Sequence, residues 1–186
     1  MQRKLHEEVD RVFGASSRQL TSEDLGELKY LECVMKESLR LCPSVPFIAR
    51  EFTRDEEVGK LSWKKGYIWW GKITLYLVFF LLAGYKFLKG EQATIHIYLL
   101  HLNEKYYPNP TKFDPDRFLP ENSANRHPYA YIPFSAGRRN CIGQRFALNE
   151  EKVILANIIR HFEIRSVKET LEALEPVNGL ILRPFN

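Results

Sequence analysis

Apolar residues recur with a helical period at the start of the chain. In the stretch MQRKLHEEVDRVFG they fall on one face of a helix, and Gly14 follows directly. This pattern predicts an amphipathic helix that ends at Gly14, because glycine accepts the left-handed backbone that often closes a helix. The residues of the apolar face are Leu5, Val9, Val12 and Phe13. A chain that begins inside a helix leads us to expect further sequence before it.

A second helical pattern follows a polar connector. Thr21 and Asp24 have the spacing of a capping box, in which each side chain bonds the backbone amide of the other residue. The predicted helix runs through LGELKYLECVMKESLRL, and Pro43 lies just past its end. Its expected buried stripe consists of Leu28, Leu31, Met35 and Leu39.

The second half of the chain combines a long loop with the longest helical pattern. Residues 109–137 are rich in proline, asparagine, aspartate and aromatic residues and show little periodicity, so they predict a long, ordered loop. The stretch IGQRFALNEEKVILANIIRHF then predicts a helix. We expect its inward side chains to be Phe146, Ala147, Ile154, Ile158 and Phe162.

Alternating patterns predict short strands between and after these helices. PFIAREFT and QATIHIY alternate between apolar and polar residues, as strands with one buried face do. Near the end of the chain, Asn178–Gly179 is a hairpin signal. The elements together predict a mainly α fold with small β-sheets, in the α+β class.

The net charge and the cysteine content limit the kinds of partner and compartment that we expect. A formal net charge of +4 is small, and the basic residues form no stripe that would follow phosphates, so we expect no nucleic-acid partner. Cys33, Cys42 and Cys141 form no paired framework and no zinc-binding spacing. An odd number of cysteines indicates a reducing compartment, in which a special cysteine acts as a thiol.

One of these cysteines stands in a chemically distinctive loop. In PFSAGRRNCIGQRFA, Cys141 lies between glycines and just before the longest predicted helix. The positive end of a helix favours a thiolate over a thiol, and glycines let the backbone pass close to a flat, bulky group. A lone cysteine is more often a buried structural residue. The fixed spacing of five positions favours a ligand instead, and these positions are Phe134, Gly137, Arg139, Cys141 and Gly143.

The pattern meets the needs of a haem iron that is held by a cysteine thiolate. Cys141 would be the axial ligand of the iron, and Arg139 could pair with an acidic group of the cofactor. Phe134 could shield the sulfur from water. Electron donation from such a thiolate favours cleavage of the O–O bond.

The chain resembles the carboxy-terminal part of a cytochrome P450, a haem-thiolate monooxygenase. Besides the cysteine loop, ESLR resembles the ExxR helix of that family, and FDPDRF resembles its PxRF-type segment. The resemblance implies that Glu37 and Arg40, one helical turn apart, form a Glu–Arg–Arg network with Arg117 that supports the loop before the cysteine. It also implies that Arg50, in PFIAR, contacts a haem propionate.

The segments YPNPTKFDPDRFLPEN and RNCIGQRFALNEEKVILANIIRHF are most similar to the microsomal fatty-acid ω-hydroxylase branch, family 4. This resemblance implies a lipophilic substrate such as a fatty acid. It also implies electrons from NADPH through NADPH–cytochrome P450 reductase, with cytochrome b5 as a second candidate partner. The expected location is the cytosolic face of the endoplasmic reticulum membrane.

Two features of the family have no match in this chain. We assign no catalytic residue, because the acid–threonine pair that activates oxygen belongs to a helix upstream of these motifs, and the family's membrane anchor has no counterpart here either. In LLHLNEKY the chain also departs from the family pattern, since Leu102 stands where a basic residue is common.

Residues 60–84 interrupt the family pattern in the middle of the chain. They separate RDEEVG from GYKFLKGE, segments that the family joins through a tight turn between strands. A transmembrane helix would need roughly 20 apolar residues. Only 12 uncharged residues, from Ile73 to Gly84, follow one another without interruption. Tryptophans beside lysines leave a surface-lying or re-entrant membrane segment open as an alternative.

We favour a translated intron as the origin of this segment. Gly59–Lys60 can be encoded with the GTAAG of a splice donor, and Ala83–Gly84 with the CAG of a splice acceptor in the same phase. Removal of Lys60 to Gly84 restores the uninterrupted EEVGYKFLKGE. We therefore divide the chain into residues 1–59, the insert at 60–84, and residues 85–186.

Three hypotheses of function follow from these patterns. The first is a haem-thiolate monooxygenase that inserts one atom of O2 into a lipophilic substrate. The second is a non-catalytic, truncated or mis-spliced fragment of such an enzyme. The third is a membrane-associated interaction module that is built around the insert.

Overall fold

The computed structural model describes residues 1–58 apart from 15 and 17, residues 85–165, and the short stretches 176–177 and 183–184. Helices dominate these parts of the chain, and the strands in them form two-stranded antiparallel sheets. The predicted fold class, mainly α with small β-sheets, is confirmed.

The helices and strands have the following bounds. The α-helices are α1 (Gln2–Phe13), α2 (Ser22–Glu27), α3 (Lys29–Leu41), α4 (Ile97–His101), α5 (Pro120–Ser123) and α6 (Gln144–His161). Single turns of 3₁₀-helix cover Pro115–Phe118, Pro128–Ala130 and Gly137–Arg139. The strands are β1 (Phe47–Glu51), β2 (Glu56–Val58), β3 (Tyr85–Phe87), β4 (Gln92–His96), β5 (Pro176–Val177) and β6 (Arg183–Pro184).

The predicted capping box opens α2. The Asp24 N–H donates to the Thr21 hydroxyl, and the Thr21 N–H donates to the Asp24 carboxylate at 2.8 Å. The helix that the sequence predicts as continuous is divided at Leu28, where the backbone leaves helical geometry (φ −81°, ψ 66°). The result is a short α2 followed by α3.

A carboxylate from another helix satisfies the first amides of α3. The two oxygens of Glu8, in α1, accept hydrogen bonds from the Tyr30 and Leu31 N–H groups at 2.7 and 2.9 Å. The first amides of a helix lack partners within the helix, and its amino-terminal end attracts negative charge. Glu8 therefore fixes α1 against the start of α3, although it lies inside the buried interface.

The main hydrophobic core lies between α1, α3 and α6. It excludes water from the faces of the three helices that meet there, which is the dominant favourable contribution to folding. The predicted stripes of the first two helices are buried in it, with Val12 packed at its edge and Leu39 buried outside it. Its buried members are Leu5, Val9, Phe13, Leu28, Leu31, Met35, Ala156 and Ile159.

The predicted inward face of α6 is wrong. Phe146, Ile154 and Phe162 are exposed, and Ala147 and Ile158 are only half-buried. The residues that pack inward are Leu148, Lys152, Leu155, Ala156 and Ile159. Apolar residues occupy more than one face of this helix, so periodicity alone does not identify the face that meets α1 and α3.

A lysine lies on the buried face of α6. The ammonium group of Lys152 donates to the Leu25 carbonyl at 3.0 Å and to the Glu32 carboxylate at 2.7 Å. Its aliphatic stem can pack beside apolar residues while the charged head reaches these acceptors. A charged residue therefore occupies a position that a hydrophobic pattern would not assign to the core.

The two predicted strands pair with each other. β1 and β4 are antiparallel, with Phe47 opposite His96 and Glu51 opposite Gln92. The segments on either side of residues 60–84 also pair, since β2 and β3 are antiparallel with Val58 opposite Tyr85. Residues 59–84 therefore connect two residues that face each other in one strand pair.

Some predictions lie outside the described residues. These are the insert at 60–84 and the Asn178–Gly179 turn, although β5 and β6 on either side of that turn pair antiparallel. Within the part of the chain that the structure describes, no helix has the length and hydrophobicity that a membrane crossing needs.

Candidate functional site

A fully buried ion pair lies inside α3. Glu37 and Arg40 have 0% of their surface exposed. The Arg40 guanidinium donates to both carboxylate oxygens of Glu37, from Nε at 2.7 Å and from one terminal nitrogen at 2.8 Å. A spacing of three residues places the two side chains on the same face of the helix. This bidentate geometry is the strongest form of an arginine–carboxylate contact.

The remaining hydrogen-bonding groups of the pair bind the backbone of distant segments. Arg40 donates to the His101 carbonyl at 2.9 Å and to the Lys112 carbonyl at 3.2 Å. Glu37 accepts from the Asp114 N–H at 2.8 Å. Buried charges need such partners, because burial without them costs several kcal/mol per ion. The ion pair therefore connects α3 with the end of α4 and with the loop before Arg117.

Arg117 lies beside this pair and contacts it at longer range. Its Nε is 3.6 Å from a carboxylate oxygen of Glu37, which is an ion-pair distance and is too long for a good hydrogen bond. The same Nε has no hydrogen-bond partner among the described residues. A terminal nitrogen of Arg117 donates instead to the Asn109 carbonyl at 2.9 Å. The structure thus brings together the three residues of the predicted Glu–Arg–Arg network.

Tyr107 and Arg126 belong to the same region and were missed by the sequence analysis. The guanidinium groups of Arg40 and Arg126 both lie over the buried Tyr107 ring, with their centres 5.0 and 4.7 Å from the ring centroid. The Tyr107 hydroxyl donates to the Ala130 carbonyl at 3.1 Å, and burial raises its pKa to about 12. The aromatic and basic residues in and just before the long loop (residues 109–137) were the available signal, but they do not indicate which pairs meet.

The cysteine loop (residues 133–143, PFSAGRRNCIG) turns back on itself before α6. The Cys141 N–H donates to the Phe134 carbonyl at 2.9 Å, which closes the loop. Positive φ angles at Ser135 (65°) and Gly137 (77°) allow this turn, and glycine adopts such angles without strain. A Cβ added to Gly143 would lie 3.9 Å from the Cys141 sulfur, so the glycine leaves space beside that atom.

The structure exposes the predicted ligand and the apolar residues near it. Cys141 is a free, exposed thiol, and Phe134 contacts it through its backbone carbonyl. Ile142, the next residue, is fully exposed, and Phe146 in the first turn of α6 is 72% exposed. Two exposed apolar side chains therefore follow the thiol within five residues of the chain. On its α6 side a cleft of about 400 Å³ is lined by Cys141 together with Asn140, Gln144, Arg145, Leu148 and Lys152, among others.

The two predicted propionate-binding arginines are solvent-exposed. Arg50, in β1, donates to the Ala49 carbonyl at 2.8 Å and reaches the Ser135 hydroxyl at 3.4 Å. β1 therefore lies against the cysteine loop. Arg139 is in the 3₁₀ turn just before Cys141. Both guanidinium groups retain donors that could bind carboxylates of a ligand.

These residues fit a haem. Among the described residues, no three His, Cys, Asp or Glu side chains are grouped so that they could hold a metal ion. The exposed Ile142 and Phe146 offer apolar contact to a flat ring, and Arg50 and Arg139 offer positive charge to its acidic groups. A cysteine thiolate that is free to bind a metal is also the iron ligand of haem-thiolate proteins.

Comparison with known proteins gives a consistent family assignment. The cytochrome P450 family model matches residues 1–69 and 80–184, and the unmatched residues 70–79 lie inside the 60–84 segment. The chain is 50% identical over all 186 residues to human cytochrome P450 4V2 and to the mouse protein of the same name. It is 43% identical to cytochrome P450 4c3 of Drosophila melanogaster over 98% of the chain. The chain spans 31% of the human and mouse relatives and 30% of the fly relative.

Proposed function

Because the chain belongs to the cytochrome P450 family, we propose that it forms the haem-binding part of a haem-thiolate monooxygenase. The observation that carries the proposal is the cysteine loop, in which Cys141 is an exposed thiol followed within five residues by two exposed apolar side chains. The loop lies at the amino-terminal end of α6. A bound haem supplies the iron that binds and activates O2.

The residues of this chain would bind and orient that group. Cys141 would hold the iron through its sulfur, and Ile142 and Phe146 would offer apolar contact to the group and exclude water. Arg50 and Arg139 would bind the two propionates, in keeping with their free donors. Gly137 and Gly143 would let the loop approach the ring without side-chain obstruction. Glu37, Arg40 and Arg117 would keep the segments before the loop in place.

The wider activity follows from the resemblance to family 4. We propose insertion of one oxygen atom into a lipophilic substrate, such as a fatty acid, with electrons from NADPH through NADPH–cytochrome P450 reductase. Cytochrome b5 is a second candidate electron donor, and the endoplasmic reticulum membrane is the proposed location. The support is the family 4 identity of the relatives.

This function is testable in a full-length protein in which the chain replaces the matching 31% of human cytochrome P450 4V2. We call this protein the chimera. Without the insert, the chimera should bind haem. Its reduced, CO-bound form should show the red-shifted Soret band of a thiolate-bound iron. It should also oxidise a long-chain fatty acid with NADPH and the reductase. A haem-free chimera, or one without that band, would contradict the proposal.

A second candidate, a fragment that is not catalytic as it stands, is favoured by the geometry around residues 59–84. Val58 faces Tyr85 in the β2–β3 pair, so a short turn is enough to join these strands. A translated intron between residues 60 and 84 would place 26 residues where the pair needs a turn (59 to 84 inclusive). The family model leaves residues 70–79 of this segment unmatched, which supports an insertion there, and it matches residues 60–69 and 80–84.

The register of the β2–β3 pair indicates which residues should be deleted to remove the insert. Deletion of residues 60–84 leaves Gly59 alone between the facing Val58 and Tyr85, whereas hairpins most often use two-residue loops. Deletion of residues 60–83 leaves Gly59–Gly84, and two glycines suit such a loop. We expect near-stoichiometric haem in the chimera with the 60–83 deletion and much less with the insert retained. Equal haem in the two proteins would show that the insert is tolerated.

A further inference from the structure

His101 contacts both the buried ion pair and the segment that leads into the cysteine loop. It is the last residue of α4 and has no exposed surface. Its backbone carbonyl accepts a hydrogen bond from Arg40 at 2.9 Å. Its ring Nε2 accepts from the Ile132 N–H at 3.0 Å. One residue thus joins the Glu37–Arg40 pair to the chain nine residues before Cys141.

Hydrogen bonds continue from Ile132 to the predicted ligand. The Ser135 N–H donates to the Ile132 carbonyl at 2.9 Å, and the Cys141 N–H donates to the Phe134 carbonyl at 2.9 Å. The Ile132 side chain is buried with Ile97 and Leu100 of α4. The position of Ile132 therefore determines where the turn that presents Cys141 begins.

The neighbouring Tyr131 limits the orientation of the His101 ring. The two rings are stacked with centroids 5.2 Å apart, and the Tyr131 hydroxyl donates to the Lys36 carbonyl in α3 at 3.0 Å. Tyr107 meets the edge of the same imidazole, with centroids 6.5 Å apart. Aromatic packing on two sides holds the imidazole so that Nε2 points at the Ile132 amide.

The hydrogen bond to Ile132 requires a neutral imidazole with its proton on Nδ1. An N–H donor at Ile132 needs a lone pair on Nε2, so the ring proton must lie on the other nitrogen. That Nδ1 atom has no hydrogen-bond partner among the described residues. Burial, the largest cause, lowers the pKa of His101 to about 4 although the backbone of Arg40 and Leu39 opposes it, so the neutral form persists at physiological pH.

We infer that His101 is a positioning residue for the haem ligand: its Nε2 holds Ile132 and thereby sets the start of the loop that carries Cys141. The inference rests on the proposed haem-thiolate function. It differs from a general packing role, because it depends on one acceptor atom at one place on the ring. A side chain that accepts the Ile132 N–H from the position of Nε2 should preserve iron binding by Cys141. A side chain whose acceptor lies closer to the backbone should not.

Glutamine and asparagine make this comparison with nearly equal chemistry. In the chimera without residues 60–83, His101→Gln can place an amide oxygen near the position of Nε2, whereas His101→Asn ends near the position of Nδ1. We measure haem per polypeptide and, per bound haem, the fraction that gives the thiolate-type Soret band with CO. We expect the glutamine protein to keep the parental fraction and the asparagine protein to lose it several-fold.

His127 provides the matched control. Its ring also accepts a backbone N–H, from Tyr129 at 3.1 Å, but it is exposed, and among the described residues no hydrogen bond joins it to the ion pair. His127→Gln and His127→Asn should both keep the parental spectrum. If the two His101 variants gave the thiolate-type Soret band for equal fractions of their bound haem, whether high or low, the inference would be overturned. Absence of the band in the parent chimera would instead contradict the proposed function.

Discussion

The Glu37–Arg40 ion pair and the cysteine loop differ in how much of their structure this chain completes by itself. The ion pair is inaccessible to water, and its charges bind each other and three backbone groups. The cysteine loop closes through one backbone hydrogen bond of Cys141, while the Cys141 thiol and the Ile142 side chain next to it are exposed.

We therefore interpret the Glu37–Arg40 pair as a structural support and the cysteine loop as a binding surface. Buried charges are tolerated only where partners are fixed, so the region around Arg40 should be rigid and costly to change. The exposed thiol, apolar side chains and arginines of the loop are available to a ligand. Loss of a side chain in the first region should therefore lower stability and haem together, whereas loss of the ligand atom should alter the bound haem.

Removal of one member of the ion pair should have the largest effect on stability. Glu37→Ala leaves the Arg40 guanidinium buried with an unpaired charge, which typically costs about 3–5 kcal/mol. We expect the chimera without residues 60–83 to lose its haem-loaded form with this change, measured by haem content and by denaturant unfolding.

The control for that change is Glu121→Ala, because Glu121 is an exposed glutamate at the start of α5. It should alter unfolding by less than about 0.5 kcal/mol. Full haem content and parental stability in the Glu37→Ala protein would show that the pair does not support the site.

Acid should weaken the supporting region through His101. Burial, the largest cause, lowers its pKa from 6.5 to about 4 in the folded chain. Between these values the unfolded chain binds the proton and the folded chain does not, so stability is full above pH 6.5 and falls as the pH drops towards 4. At pH 5 this single group should lower the free energy of unfolding by about 2 kcal/mol relative to pH 7.

His101→Gln removes the titrating group and should remove that part of the pH dependence. The measurement is the free energy of unfolding of parent and variant chimeras at pH 7 and pH 5. An identical loss in both proteins would mean that His101 is not the group responsible.

The smallest effect is expected at Tyr107. Tyr107→Phe keeps the ring against the two guanidinium groups and removes the hydroxyl, with its hydrogen bond to the Ala130 carbonyl and its interaction with Arg126. A hydrogen bond of this kind contributes about 1 kcal/mol, so unfolding should shift by about that amount with little change in haem content. Tyr129→Phe, at an exposed ring, should have no measurable effect. A large loss of haem in Tyr107→Phe would place the hydroxyl in the site itself.

Local patterns predicted the elements of this fold better than the contacts between them. The capping box at Thr21 and the stripe of α3 depend on neighbouring residues in the chain, and both were predicted from the sequence. The inward face of α6 depends on which other helices meet it, and there the periodicity misled: Phe146 is exposed and Lys152 is buried.

The same distinction holds within the site. The resemblance to the family identified Glu37, Arg40 and Arg117, which the fold brings together from distant parts of the chain. His101 was missed because its importance lies in contacts with Arg40, 61 positions away, and with Ile132, 31 positions away. A lone histidine at the end of a short helix carries no local pattern that indicates such partners.

The central claim is that Cys141 is the axial ligand of a haem. The most direct measurement is the reduced, CO-bound spectrum of the chimera without residues 60–83 and with Cys141→Ser. Cys42→Ser, at another exposed free cysteine, is the matched control. We predict that Cys141→Ser abolishes the red-shifted, thiolate-type Soret band while Cys42→Ser keeps it. A Cys141→Ser protein that retains that band would contradict the account.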